Sequence, residues 1–510
     1  MKLKKLLAKA AICAAVTILA VSPVSAAESI AVPSSADTAS ITVTNVEHGA
    51  TVEAYKIVDA EYSSAGLKGY EPVEGVSISD LEHPTLEEVQ SVTLNIQNGD
   101  LSVTGVSMND VTPSDGHSLG DGATACTYRA DGLSAGMYLV LVKGVSGNVY
   151  NPAIISVGYD SNSAITSGAL DISNGSWTVS GGRTEVKHSR VTVTKDTEDG
   201  IRSYSYEDTV PYIVTTSIPS YDPAVYSDAV FRLVDTAAEG LTFDKDSVVA
   251  KDTSGTSVDG SNYTVSLAGQ TLTIDFDSDW ILANGGTSVT VRYEAKLGTD
   301  AALDLEGNLN TVKVVYSNDP TSVSGATPYD DPDDPGMPKA ESTVYTFDFS
   351  FRKVDSKDPS VTLPGAVFSL TGTNTTGDSV SYEETAGSDG IVCFAGLSEG
   401  TYTMKETKAP EGYAVNQNDY TVTVSASYGS DKTLSSYNIS ITDQDGTVFM
   451  NKRYTATPDA DGTDCAIPNT AFMDLPATGG TGTLIFTLAG MIAVTGGTML
   501  LMSKRKGSEG

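Results

Sequence analysis

The sequence predicts an all-β protein of three tandem β-sandwich domains set between two processing segments. Three observations carry this reading. The chain has 510 residues, room for about three domains at about 150 residues each. Its 48 glycines and its excess of Ser, Thr, Val and Tyr favour strands and turns over helices. A short internal repeat, Gly132-Leu-Ser-Ala-Gly-Met-Tyr138 against Gly396-Leu-Ser-Glu-Gly-Thr-Tyr402, reads both times as a turn feeding an alternating strand, so the first and third domains share a fold.

The elements follow in chain order. Residues 1–26 run from Lys2, Lys4, Lys5 and Lys9 through an apolar stretch to Val24-Ser25-Ala26, the pattern of a secretory signal peptide. The first domain is expected at 27–187, ending where Gly181-Gly182 and a polar stretch separate one strand-rich region from the next. The second is expected at 188–341, closing in Asn318-Asp319-Pro320 to Pro335-Gly336, a stretch too rich in proline for a central strand. Prolines also interrupt any Ca²⁺-loop spacing there, so the acidic stretch reads as a solvated linker. The third domain is expected at 342–453, with a spacer at 454–474. Leu475-Pro476-Ala477-Thr478-Gly479 then precedes an apolar run, residues 484–502, and a basic end, Lys504-Arg505-Lys506. That run is long enough to span a bilayer as a transmembrane helix.

Charge excludes one class of partner. Asp+Glu number 65 against Lys+Arg 31, a formal net charge of -34, which repels nucleic acid and anionic membranes. His48, His83, His117 and His188 form no HExxH motif, and neither a GxSxG elbow nor a phosphate-binding glycine loop occurs. No enzyme, metal or cofactor is expected. Cys13 leaves with the leader, and Cys126, Cys393 and Cys465 lack CxxC spacing, so neither a disulfide framework nor a zinc site is expected. An exported chain without disulfides calls for another staple.

Strand parity points to one. Side chains alternate between faces with period two, so Lys353 shares the apolar face of Phe347, Phe349 and Phe351, and Glu406 that of Tyr402 and Met404. Asn451 shares a face with Phe449. In the second domain Lys195 lies with Val191 and Val193, Asp235 with Phe231 and Leu233, and Asn318 with Val312, Val314 and Tyr316; Asn310 has the same parity and competes with Asn318. A buried amine or carboxylate costs several kcal/mol unless paired or used. Residues 28–55 contain no lysine, and Val142 falls where Glu406 would, so the first domain is expected to lack the trio.

Several of these strings carry a resemblance. LPATGG, the span and the basic end resemble the cell-wall sorting signal of Gram-positive surface proteins, which implies cleavage by a sortase between Thr478 and Gly479 and transfer of Thr478 to an amine. Leu363-Pro-Gly-Ala-Val-Phe368 and Tyr402-Thr-Met-Lys-Glu406 through Pro410-Glu-Gly-Tyr413 resemble the collagen-adhesin B-type (Cna B-like) repeat over residues 345–453. Asp235 to Leu241 and Asn310 to Pro320 resemble the middle domain of sortase-assembled major pilins.

The resemblance implies immunoglobulin-like sandwiches and intramolecular isopeptide bonds, Lys195 to Asn318 with Asp235 as acid and Lys353 to Asn451 with Glu406 as acid. It also implies an acceptor lysine near the first domain junction. Trp177 and Glu185-Val-Lys187-His-Ser189 resemble that pilin motif, although the usual Tyr-Pro is missing. Lys187 is therefore the expected acceptor, with Lys143 and Lys56 as alternatives. The implied function is the shaft subunit of a pilus, or fimbria, supporting adhesion. Its partners would be a sortase, identical subunits, minor pilins and peptidoglycan. A monomeric wall-anchored adhesin for a host or matrix ligand, and a minor pilin, stay open as alternatives.

Overall fold

Sequence alternation becomes burial alternation in nearly every long strand. Along Thr209–Ser217 each second residue is buried, as along Phe231–Ala237 and Gly400–Lys408. In a half-buried antiparallel sheet one face packs on the core while the other meets water. The computed structural model describes residues 28–472, apart from 31, 65, 82, 102, 113–116, 119–123, 146, 162–176, 332–333, 335 and 457–464. The leader, LPATG and the apolar run at 484–502 lie outside the described residues. Among the described residues no helix is long and apolar enough to cross a membrane.

The chain divides into two compact units, after Thr346. In the first unit, the first domain sets a seven-stranded sheet, with Gly136–Lys143 and Thr51–Ser63 at its centre, beside a five-stranded sheet centred on Thr38–Glu47 and Thr124–Ser134. The repeated Gly-Leu-Ser string is the corner at which the chain crosses from one sheet to the other between Thr124–Ser134 and Gly136–Lys143, and its counterpart does the same between Ile391–Leu397 and Gly400–Lys408. Gly132 and Gly396 both turn these corners at left-handed φ, 72° and 74°, which a side chain would resist.

The middle domain packs a four-stranded sheet, ordered Val193–Thr197, Thr209–Ser217, Ser288–Leu297, Leu241–Asp252, against a six-stranded one that contains Phe231–Ala237 beside Asn308–Ser317. Lys339–Val344 also pairs with Asn308–Ser317. The strand expected to open the third domain therefore starts at Phe347. One apolar cluster runs from Tyr55, Leu139 and Val149 of the first domain to Tyr221, Tyr226 and Tyr316 of the second. A helix that the β-rich reading does not anticipate, Leu86–Asn98, helps to join them. Its start is written in the sequence, because Thr85 and Glu88 form a reciprocal capping box. Gln97 on this helix donates to the carbonyls of Val225 and Pro320 and accepts from Ser324 N.

The second unit, from Phe347, holds a six-stranded sheet and a three-stranded sheet in the order Ile391–Leu397, Phe347–Asp355, Ala466–Asn469. Ala466–Asn469 lies in the stretch expected to be spacer. It runs parallel to Phe347–Asp355, with Lys353 opposite Ile467 and Asp355 opposite Asn469. The first and last described strands of this domain are thus direct neighbours.

Candidate functional site

In the middle domain Lys195 projects from Val193–Thr197 into the space between the two sheets. Its Nζ lies 2.5 and 2.7 Å from the Asp235 carboxylate oxygens. Asp235 faces it from Phe231–Ala237, and both side chains are buried. The Lys195 ammonium also sits over the rings of Tyr212 and Tyr293, 5.2 and 5.6 Å from their centroids. Tyr293 donates its hydroxyl to Asp235, and Asn310 Nδ2 donates to the same hydroxyl at 3.3 Å. Burial pushes the Lys195 amine down to about 8, and burial raises the Asp235 carboxyl although Lys195 opposes the shift. Both displacements favour the neutral forms.

The third domain assembles the same three groups from other strands. Lys353 of Phe347–Asp355 and Glu406 of Gly400–Lys408 lie 3.7 Å apart with fully buried side chains. Lys353 Nζ donates to Ile467 O at 3.0 Å. Asn469 Nδ2 donates to both Glu406 oxygens at 2.9 and 3.0 Å, and Asn416 N donates to Oε2 at 2.5 Å. Burial beside Phe368 pushes the Lys353 amine down to about 8.

Two expected acceptors are not in these clusters. Asn451 is exposed on Val448–Thr455, the edge strand of the six-stranded sheet, opposite Ser440. Phe449 and Met450 are adjacent apolar residues, so parity cannot choose between the faces, and it is Met450 that turns into the core. Asn469 stands beside Glu406 instead. Asn318 is buried, but its Nδ2 donates to Gly144 O of the first domain at 2.9 Å. Asp235 is paired with Val312, and Ala237 with Asn310. Asn310 is therefore two residues from the acid along the ladder and Asn318 six, about 20 Å at the rise of a strand. The competitor Asn310 occupies the site.

One feature is common to Asn310 and Asn469. The Oδ1 atom of each is buried with no hydrogen-bond partner among the described residues. A buried carboxamide oxygen left unpaired costs about 1–3 kcal/mol. The sequence signal for Asn469 is present in Ala466-Ile467-Pro468-Asn469, a short alternating run, but proline and the flanking polar residues disguise it as linker.

Lys187 lies where the chain changes sheets. Arg183–Glu185 runs parallel to Thr38–Glu47, and His188–Arg190 pairs with Asn148–Tyr150. Val186 is buried between them, its carbonyl accepting from Asn45 Nδ2 at 2.9 Å, while Lys187 is exposed. Among the described residues the Lys187 side chain has no partner. Both alternative lysines are engaged, Lys143 with Asp319 at 2.7 Å and Lys56 with Asp59.

Known proteins match this chain along most of its length. The T6 antigen Ig-like domain matches residues 36–188 and the prealbumin-like fold domain residues 347–438. Residues 206–320 match the Cna-B-like domain of Gram-positive pilin backbone subunit 2, and 474–509 the LPXTG cell wall anchor motif. The chain has the domains of a Gram-positive backbone pilin. The trypsin-resistant surface T6 protein of Streptococcus pyogenes is 28% identical over 92% of this chain and 95% of that protein. In fold, the chain is similar to the T6 backbone pilin of serotype M6 Streptococcus pyogenes, with TM-score 0.61 and 23% identity over 86% of this chain and all of that one. It is also similar to the full-length major pilin SpaD of Corynebacterium diphtheriae, with TM-score 0.50 and 18% identity over 86% and 99% of the two chains. The anchor makes this pilin a cell-wall-anchored surface protein of a Gram-positive bacterium.

The first domain of this pilin holds an acid and an amide as well. Asn148 Nδ2 donates to Glu47 Oε2 at 2.8 Å, and Val145 N to Oε1 at 2.9 Å. Neither the Thr38–Glu47 strand nor Asn148–Tyr150 carries a lysine.

Proposed function

We propose that this pilin forms a covalent shaft in which Thr478 of one subunit is joined to Lys187 of the next, and that its middle and third domains are each closed by an amide bond, Lys195 to Asn310 and Lys353 to Asn469. The observation that carries the internal bonds is the convergence, in two differently built cores, of a buried lysine, a buried acid and an asparagine whose carbonyl oxygen lacks a partner among the described residues.

The chemistry follows from the neighbours. A lysine at about 8 holds about a tenth of its population as free amine at pH 7, against well under a thousandth at the ordinary 10.4. The Nζ lone pair attacks Asn Cγ. Once the carboxamide turns so that Oδ1, the orphan oxygen, and not Nδ2 faces the acid, the protonated acid donates to Oδ1 and stabilises the charge that develops there. The acid then relays a proton from the attacking nitrogen to the leaving one. A new C–N bond forms, the old one breaks, and ammonia departs. Each protein molecule reacts once per site, so no turnover is involved.

Between subunits the same bond type is made by a sortase, which the LPXTG anchor implies. An amine acceptor needs exposure and freedom from ion pairs, and among the described residues Lys187 has both where Lys143 and Lys56 do not. A denaturing blot of a wall extract tests the shaft. A ladder of covalent multimers is expected, collapsing to a single band for Lys187→Arg and persisting for Lys143→Arg and Lys56→Arg. A single band for the unaltered protein makes it a monomeric wall-anchored adhesin.

A further inference from the structure

Three metal-ligating side chains meet in the first domain, away from both lysine sites. His48 begins the turn between Thr38–Glu47 and Thr51–Ser63, Asp110 ends Asn109–Asp110, and Cys126 lies on Thr124–Ser134 opposite Val46. One ligand atom from each lies within 4.8 Å of the other two, and His48 Nδ1 is 2.9 Å from Asp110 Oδ2. No spacing in the chain announces this set. The pairing of Asn109–Asp110 and of Thr38–Glu47 with the same Thr124–Ser134 strand brings it together.

We propose that His48, Asp110 and Cys126 bind a divalent transition-metal ion of the zinc type, which clips the inter-sheet turn of the first domain to its five-stranded sheet. An imidazole nitrogen, a thiolate and a carboxylate oxygen form a borderline-soft set. It suits Zn²⁺, whereas Ca²⁺ and Mg²⁺ take oxygen ligands. Separations of under 5 Å between donors need only small adjustment to surround an ion at bond lengths of about 2.0–2.3 Å.

The carboxylate is already aimed. Asp110 Oδ1 accepts from Thr112 N at 2.9 Å and from the Thr112 hydroxyl, which leaves Oδ2 toward His48. The Thr112 hydroxyl oxygen is itself held, accepting from Thr127 N at 2.8 Å. Such outer hydrogen bonds orient ligands at built metal sites. Cys126 is 3% exposed and offers its sulfur from the core side. The His48 side chain, 81% exposed, supplies the route of entry, and water takes the outward coordination position. On binding, the thiol proton passes to solvent and the sulfur-metal bond forms with no change of oxidation state.

The placement gives the ion a role. Thr38–Glu47 belongs to the five-stranded sheet and Thr51–Ser63 to the seven-stranded one, so the His48 turn is a connection between layers. This is the domain whose opening strand, Thr38–Glu47, carries no lysine for a covalent tie. A metal clip would restrain it by binding the folded state alone.

Cobalt is the probe, with the exported chain (residues 27–478) prepared free of metal. Co²⁺ should produce a thiolate-to-metal charge-transfer band that Zn²⁺ displaces. Cys126→Ser should abolish the band, His48→Ala on the exposed turn should weaken binding at least tenfold, and Cys393→Ser should leave it intact. Zinc at 100 times its dissociation constant should slow proteolysis of the first domain by about 100-fold, since cleavage follows the opened population. Absence of the band, its survival in Cys126→Ser, or a proteolysis rate indifferent to zinc overturns the proposal.

Discussion

Replacing Asn469 with alanine removes the acceptor from the third domain and leaves Lys353 and Glu406 as a buried ion pair 3.7 Å apart. The proposed bond would close a loop from residue 353 to 469. In the chain-entropy model used for disulfides, a loop of about 100 residues is worth about 4.7 kcal/mol at 25 °C. A domain of this size shifts its midpoint by about 3–6 °C per kcal/mol, so the tie alone accounts for about 15–30 °C. Calorimetry should show the third-domain transition falling by at least that amount. Intact mass should show the wild type lighter than its sequence by two ammonia molecules and Asn469→Ala by one. Asn451→Ala, on the exposed edge strand, should keep both deficits and change stability by no more than about 0.5 kcal/mol. If Asn451→Ala restores an ammonia and Asn469→Ala does not, the assignment fails. A wild type at full sequence mass would return both sites to buried ion pairs.

Glu406→Ala should also restore one ammonia in the intact mass, because the acid is needed to polarise the carbonyl and move protons. In Asn310→Ala, where Lys195 stays an amine, the middle domain should gain stability as pH rises from about 8 to about 10.5. In that window the unfolded lysine is still protonated while the folded one, held at about 8 by burial, is not, so the unfolded state binds more protons. Urea midpoints across this range should climb for the variant and show no lysine-linked rise in the wild type, where the proposed bond would make the Lys195 nitrogen an amide. In single-molecule pulling only the first domain should lengthen in the wild type, and Lys195→Ala or Lys353→Ala should add a second extension. Three comparable events in the wild type would remove the ties. Terminal peptides from wall fractions should end at Thr478, and recovery of residues 484–502 there would defeat the sorting step.

Much of this pilin is readable from order and parity alone. The export and sorting segments are linear patterns recognised by other proteins, so they need no fold to be legible. Period-two alternation places Lys195, Lys353, Asp235 and Glu406 inward, because a strand's facing is a local property once one apolar residue marks the core side. The acceptors are not local in that sense. Asn310 and Asn318 have the same parity, and only the ladder that pairs Asp235 with Val312 puts one of them beside the acid and hands the other to Gly144. Asn451 misleads because two adjacent apolar residues leave the facing of an edge strand undetermined. Asn469 is hidden in a stretch whose strand exists only by pairing in parallel with Phe347–Asp355, more than a hundred residues earlier in the chain. His48, Asp110 and Cys126 are related only by three strands meeting at one end of a sheet. Sequence determines which face a group takes; tertiary pairing decides which groups touch, because register between distant strands is set by the packing of the whole core.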